Sequence, residues 1–254
     1  MSTITTDQQA SIAKKLATMQ LPSGLGDEHS ACSIAAINLA LSGRLTDEIP
    51  DCMSEVIGRW IIVVQDAMPG ELRNSARWKS LLPLAAGTGR GQEQARLDII
   101  LDWMWGTVLP SLQTLADQQG FGRQWQKMTT ERTAKSAWAA AGAAGAAARA
   151  AVEVWAVGAE AGATWVAARA AGLAAAVAAV EAAAARAAAR AARAAEAAGE
   201  AAAARAAAAA VEAAEATGAA RATGAEWATA WSNFDPCGLL ERLIKIDNNA
   251  QEAA

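Results

Sequence analysis

Residues 181–210 read EAAAARAAARAARAAEAAGEAAAARAAAAA, and the fold turns on how this stretch is read. Twenty-two of the 30 positions are alanine; the others are Glu181, Arg186, Arg190, Arg193, Glu196, Gly199, Glu200 and Arg205. Alanine has the highest intrinsic helix propensity, and Arg and Glu follow closely. The same bias runs from Ala134 to Ala230. No proline lies between Pro110 and Pro236, and no Asn or Asp between Asp117 and Asn233. Residues that break helices or compete with their backbone bonds are therefore scarce. The tract is predicted to be helical.

Its packing has two possible forms. A single rod would be ~145 Å long at about 1.5 Å per residue. A hairpin folded near Gly199 would instead set Trp231 beside Trp165, with Gly158, Gly162, Gly172, Gly218 and Gly224 as further possible breaks. Arg149, Glu153, Glu160 and Thr164 recur at spacings of 4, 7 and 4. That eleven-residue rhythm suits straight or slightly right-handed helix packing. A methyl-only face permits close helix approach but buries little apolar area per residue, so its seam must be long. Trp138, Trp155, Trp165, Trp227 and Trp231 flank the purest alanine segment and are expected to lock register between helices, as interface residues.

Outward from the tract the composition becomes ordinary. Thr6-Asp7-Gln8-Gln9 reads as a capping box ahead of a helix with Ile12, Leu16 and Met19 on one face. A second helix is expected from Ser30 to Leu41, and a third after Pro50 with Ile57, Trp60, Ile61, Val64 and Met68 at helical spacing. Asn74 or Ser75 should cap a short helix ending at Leu82, with a glycine-rich loop from Pro83 to Gly91. Leu97, Ile100, Leu101, Met104, Trp105 and Val108 describe one amphipathic helix, and Pro110 restarts another. Beyond Asp235-Pro236, the apolar face of Leu239, Leu240, Leu243 and Ile244 must dock on something. The expectation is an all-α chain in three parts: 1–130, an N-terminal helical domain; 131–232, the alanine-rich hairpin or rod; and 233–254, a short docking helix and tail.

Charge and cysteine content bound the function. Net charge is −4, and the tract interleaves Arg with Glu, so there is no basic stripe for nucleic acid. Glu160 and Arg169 interrupt the least charged stretch, which argues against a membrane span. Cys32, Cys52 and Cys237 are odd in number and widely spaced, suiting a reducing, cytoplasmic setting without a disulfide framework. No leader pattern opens the sequence.

Gly87-Thr88-Gly89-Arg90-Gly91 is the most site-like stretch. Glycines allow close backbone approach, amides ahead of a helix attract anions, and Arg90 could add a bidentate contact. No Gly-Lys-Ser/Thr follows, so it is no P-loop, and a plain helix-to-helix turn explains it as well. His29 with Cys32 and Asp51 with Cys52 have zinc-ligand chemistry but lack a Cys-x2-Cys anchor, so no metal or other cofactor is expected. Asp98 and Asp102 share a helix face, as paired carboxylates or simply as a solvated edge. One histidine and no nucleophile motif argue against an enzyme.

The interrupted alanine tract with its tryptophans, together with the Leu239-Leu240-Glu241-Arg242-Leu243 ending, resembles alanine-rich helical proteins of unknown function from bacteriophage and metagenomic sequence. The tract is also similar in alanine content to antifreeze helices. However, Thr217, Thr223 and Thr229 are six apart and do not keep one face, so ice binding is a remote alternative. The leading expectation is a non-enzymatic structural or interaction protein that forms homo-oligomers through its alanine-rich helices. The alternative is binding of a small phosphate or nucleotide ligand by Gly87–Gly91.

Overall fold

The computed structural model describes residues 4–160, 165–221 and 224–252, with side-chain surroundings over 4–150, 179, 182–216 and 228–246. The chain is all-α. Its helices are α1 (Thr6–Thr18), α2 (Ser33–Ser42), α3 (Glu55–Ala67), α4 (Gly70–Arg73), α5 (Ala76–Ala85), α6 (Glu93–Trp103), α7 (Gln113–Gln118), α8 (Gly122–Glu131), α9 (Ala134–Glu160), α10 (Trp165–Glu196), α11 (Gly199–Arg221), α12 (Gly224–Phe234) and α13 (Pro236–Glu252). The chain forms two compact units. One holds Met1–Trp103, Ala197–Ala207 and Asp235–Ala254, and the other Met104–Glu196 and Ala208–Phe234.

In the first unit, Thr5 caps α1 and Gln8 completes the box, one residue earlier than expected. Thr5 and Thr6 are both followed by Gln three residues on, so composition does not separate the two registers; the observed one buries Ile12 and Leu16. Helix α2 starts at Ser33 rather than Ser30, because Gly26 and Ala31 form an isolated bridge just before it. Residues 33–38 are all buried, which makes α2 central to this unit. Helix α3 runs through Trp60–Val64, a stretch whose composition alone would also suit a strand. Trp60 lies 6.1 Å from Trp78 and 6.0 Å from Trp103, ring centre to ring centre. Trp78 Nε1 donates to Ser33 Oγ (3.1 Å), and the Ser33 amide donates to the buried Gln65 side chain.

Ser75 caps α5, which continues past Leu82 through Pro83 to Ala85. Pro83 offers no N–H to the Lys79 carbonyl and its ring crowds it, and the helix ends two residues later. The buried side chains of Leu239, Leu240 and Leu243 sit on α13, which packs on α3, α5 and α6. Arg77 on α5 reaches Asp235 and Glu241, each at 2.9 Å. The hydrogen bond from Arg77 holds the Glu241 carboxyl below its usual pKa.

In the second unit the expected helix through Val108 does not run unbroken. It changes at Met104 to a π-turn (Met104–Val108) and then a 3-10 turn (Leu109–Leu112). Pro110 has no N–H for the carbonyl one turn back and its ring crowds that carbonyl, so regular α geometry stops there. Trp125 on α8 donates through Nε1 to Leu109 O at 2.8 Å, and Phe121 meets its ring edge-on at 6.0 Å. Helices α9 and α10 pack along each other, and Trp138 near the start of one bonds Glu196 at the end of the other, so they are antiparallel. Gly199, in the Ala197–Ala207 segment that belongs to the first unit, has φ 57, a left-handed conformation that glycine adopts at little cost. Arg186 on α10 pairs across that turn with Glu212 (2.5 Å) and Glu215 (3.2 Å) on α11. Alanines at 183, 184, 187, 188, 191, 192 and 194 on α10 are at most 2% exposed, as are those at 209, 210, 213, 214 and 216 on α11. The possible break at Gly162 lies outside the described residues.

Candidate functional site

The Gly87–Gly91 loop belongs to the first unit, and the amides of Gly87, Thr88 and Gly89 are turned inward. The Gly87 amide donates to Leu84 O (3.0 Å), the Thr88 amide to Ala85 O (3.2 Å) and the Gly89 amide to Cys52 O (2.8 Å). Thr88 Oγ1 donates to Ala85 O at 2.7 Å and accepts from the Ser54 amide at 3.1 Å. Arg90 Nη2 lies 3.4 Å from Asp51 and 3.0 Å from Glu55, so an anion entering here would compete with two carboxylates for that guanidinium. Gly91 is exposed in the turn that leads to α6.

The organiser of the loop is Arg96, which sequence reasoning missed. It is fully buried, and its guanidinium donates to Gly89 O (3.0 Å) and Thr88 O (2.9 Å). Its polar character hid it within an apolar pattern, although its place four residues before Ile100 and seven before Trp103 sets it on the buried helix face. Glu93, one turn earlier, crosses to the start of α3. It accepts from Ser54 Oγ (2.7 Å) and from the amides of Glu55 (3.1 Å) and Val56 (3.2 Å). An internal carboxylate thus occupies the positive end of α3.

Beside this loop lies a cavity of about 240 Å3 whose walls include Ile4, Gln8, Asn38, Ser42, Asp51 and Cys52. Asn38 Nδ2 is spent on Thr46 O and Glu48 O, both at 2.8 Å, and Ser42 Oγ on Asn38 O at 3.0 Å. Burial pushes the Cys52 thiol above its ordinary pKa, which keeps it protonated and poorly nucleophilic.

The other polar groups singled out in the sequence do not converge. Cys32 caps α2, its Sγ accepting the Ala35 amide at 3.4 Å, while His29 is exposed in the preceding loop. Among the described residues no three His, Cys, Asp or Glu side chains are placed to hold a metal ion. Asp98 accepts from Gln94 (2.8 Å) on the exposed side of α6, one turn from Asp102. Among the described residues no helix is long and apolar enough to cross a membrane.

The tryptophans of the tract divide. Trp231 is fully buried against Phe234, with ring centres 5.8 Å apart. The side chains of Trp155, Trp165 and Trp227 lie outside the described residues. Trp138 is 41% exposed, whereas Trp60, Trp78, Trp103, Trp105, Trp125 and Trp231 are all buried. Its Nε1 donates to Glu196 at 2.9 Å, and the Arg193 guanidinium sits 5.5 Å from its ring centre. The indole is therefore held in place while facing solvent.

No family model, curated protein or solved structure matches the chain.

Proposed function

We propose that this chain is a non-enzymatic structural protein that associates with copies of itself through its alanine-rich helices. The observation that carries the reading is Trp138, an indole fixed by a hydrogen bond and a cation yet left 41% exposed. Tryptophan is enriched among the residues that anchor protein interfaces, because it buries a large area with little loss of side-chain freedom. The ligand-binding and catalytic alternatives have less to build on: the Gly87, Thr88 and Gly89 amides are spent within the fold, Arg90 is paired with two carboxylates, and the thiols are buried.

The structure also changes the physical reason for association. Sequence reasoning assigned the methyl faces of the tract to contacts between copies. The described alanines of α10 and α11 instead bury much of that surface within one chain. Among the described residues of the tract, the exposed side of α9 that carries Trp138 is the surface assigned to the partner. Light scattering on a sizing column, run over a concentration series, tests the reading. A defined oligomer is expected, and a monomer throughout the series would reject it.

A further inference from the structure

Trp138, Gly142, Gly145 and Arg149 follow one another on α9 at spacings of 4, 3 and 4, so they share one face and read the same from either end. Trp138, Gly142 and Arg149 are exposed. A Cβ built on Gly142 meets nothing within 4 Å, and on Gly145 it meets only the Arg149 side chain, at 3.7 Å. Among the described residues nothing calls for glycine at Gly142, and glycine is a poor helix former next to the surrounding alanines.

Two charges, Arg149 and Glu196, mark opposite ends of this face. Among the described residues no carboxylate lies within ion-pair distance of Arg149, and no cation within that distance of Glu196, which sits beside Trp138. They cannot meet within one chain, because Arg149 is about 16 Å along the helix from Trp138 at 1.5 Å per residue.

We infer that the occupant of this face is the same face of a second copy, antiparallel about a two-fold axis between Gly142 and Gly145. That axis sets Arg149 of each copy against Glu196 of the other, beside the Trp138 indole that Arg193 already approaches at 5.5 Å, joining a cation to a carboxylate at both ends. It also sets Gly142 opposite Gly145, where the missing side chains let the two backbones approach closely. The inference rests on the self-association reading and specifies its geometry.

The test compares the full-length chain with Gly142→Leu, Arg149→Glu and the double variant Arg149→Glu/Glu196→Arg, by sedimentation equilibrium with circular dichroism of each. Gly142→Leu enters open space, so the fold should be kept while the dimer dissociation constant rises about tenfold or more. Arg149→Glu should weaken the dimer similarly, and the charge exchange in the double variant should restore much of the loss. Spin labels at the exposed Lys135 of each copy should lie roughly 25 Å or more apart, from the 17-residue axial offset. A parallel pairing would bring them much closer and overturn the inference. A wild-type oligomer indifferent to all three variants would also overturn it, leaving self-association standing. A wild-type monomer would overturn both.

Discussion

Arg96 shows how much one buried cation can organise. Hydrogen bonds from its guanidinium close the turn between α5 and α6 on the Thr88 and Gly89 carbonyls. Replacing it by methionine keeps the volume but leaves those carbonyls without their donor. Arg96→Met is expected to cost about 3 kcal/mol. Denaturant unfolding measures that loss, and hydrogen exchange should show faster protons at Thr88 and Gly89. Glu93→Ala removes the cap on α3 and is expected to cost about 2 kcal/mol by the same assay. The partners of neither residue were legible in the sequence, because a lone Arg or Glu on a helix does not reveal which backbone groups it will meet. The Gly87–Gly91 turn was legible from its glycines, and Gly89 does adopt positive φ, at 56°. The destination of its amides was not legible.

Cys237 gives a pH dependence with a definite sign. Burial pushes its thiol from 9.0 up to about 11, with Arg77 opposing the shift. The unfolded chain then ionises first as pH rises, so stability is full below pH 9 and falls between pH 9 and about 11. Cys32 and Cys52 are raised in the same direction, chiefly by burial. Cys237→Ala should flatten the alkaline slope in urea melts. A slope unchanged by that substitution would exonerate this thiol.

At the scale of elements, the alanine tract was the most legible part, because helix propensity summed over many residues outweighs local noise. Gly199 was legible as the turn candidate, and it carries the one positive φ recorded among the described residues of the tract. Gly199→Ala is expected to cost about 1 kcal/mol. The burial pattern was less legible, since every alanine looks alike in sequence. Ala188 is fully buried on α10 and Ala195 exposed. Ala188→Leu should therefore lose about 1–3 kcal/mol by overpacking, while Ala195→Leu should stay within about 0.5 kcal/mol. Thermal melts of the two variants check the contrast, and equal losses would contradict the packing of α10. The end of regular α geometry after Trp103 was foreseeable from Pro110. The continuous apolar pattern through Val108 masked it, because π and 3-10 turns keep the same side chains buried.

At the scale of the molecule, the all-α class followed from propensity and periodicity. The assembly of the first unit did not, since it gathers Met1–Trp103, Ala197–Ala207 and Asp235–Ala254 from three separate stretches. Such grouping depends on long-range contacts that leave no local signal. One of its consequences could be anticipated: the one-sided Leu239–Leu243 face required a surface, and α3, α5 and α6 supply it. Self-association belongs to this scale, and the molar mass of the wild-type chain beside Gly142→Leu over a shared concentration series tests it most directly. The expected result is a wild-type dimer and a folded Gly142→Leu chain of half that mass. A wild-type monomer at every concentration would contradict self-association, and equal masses for two folded oligomers would contradict the α9 face as its seat.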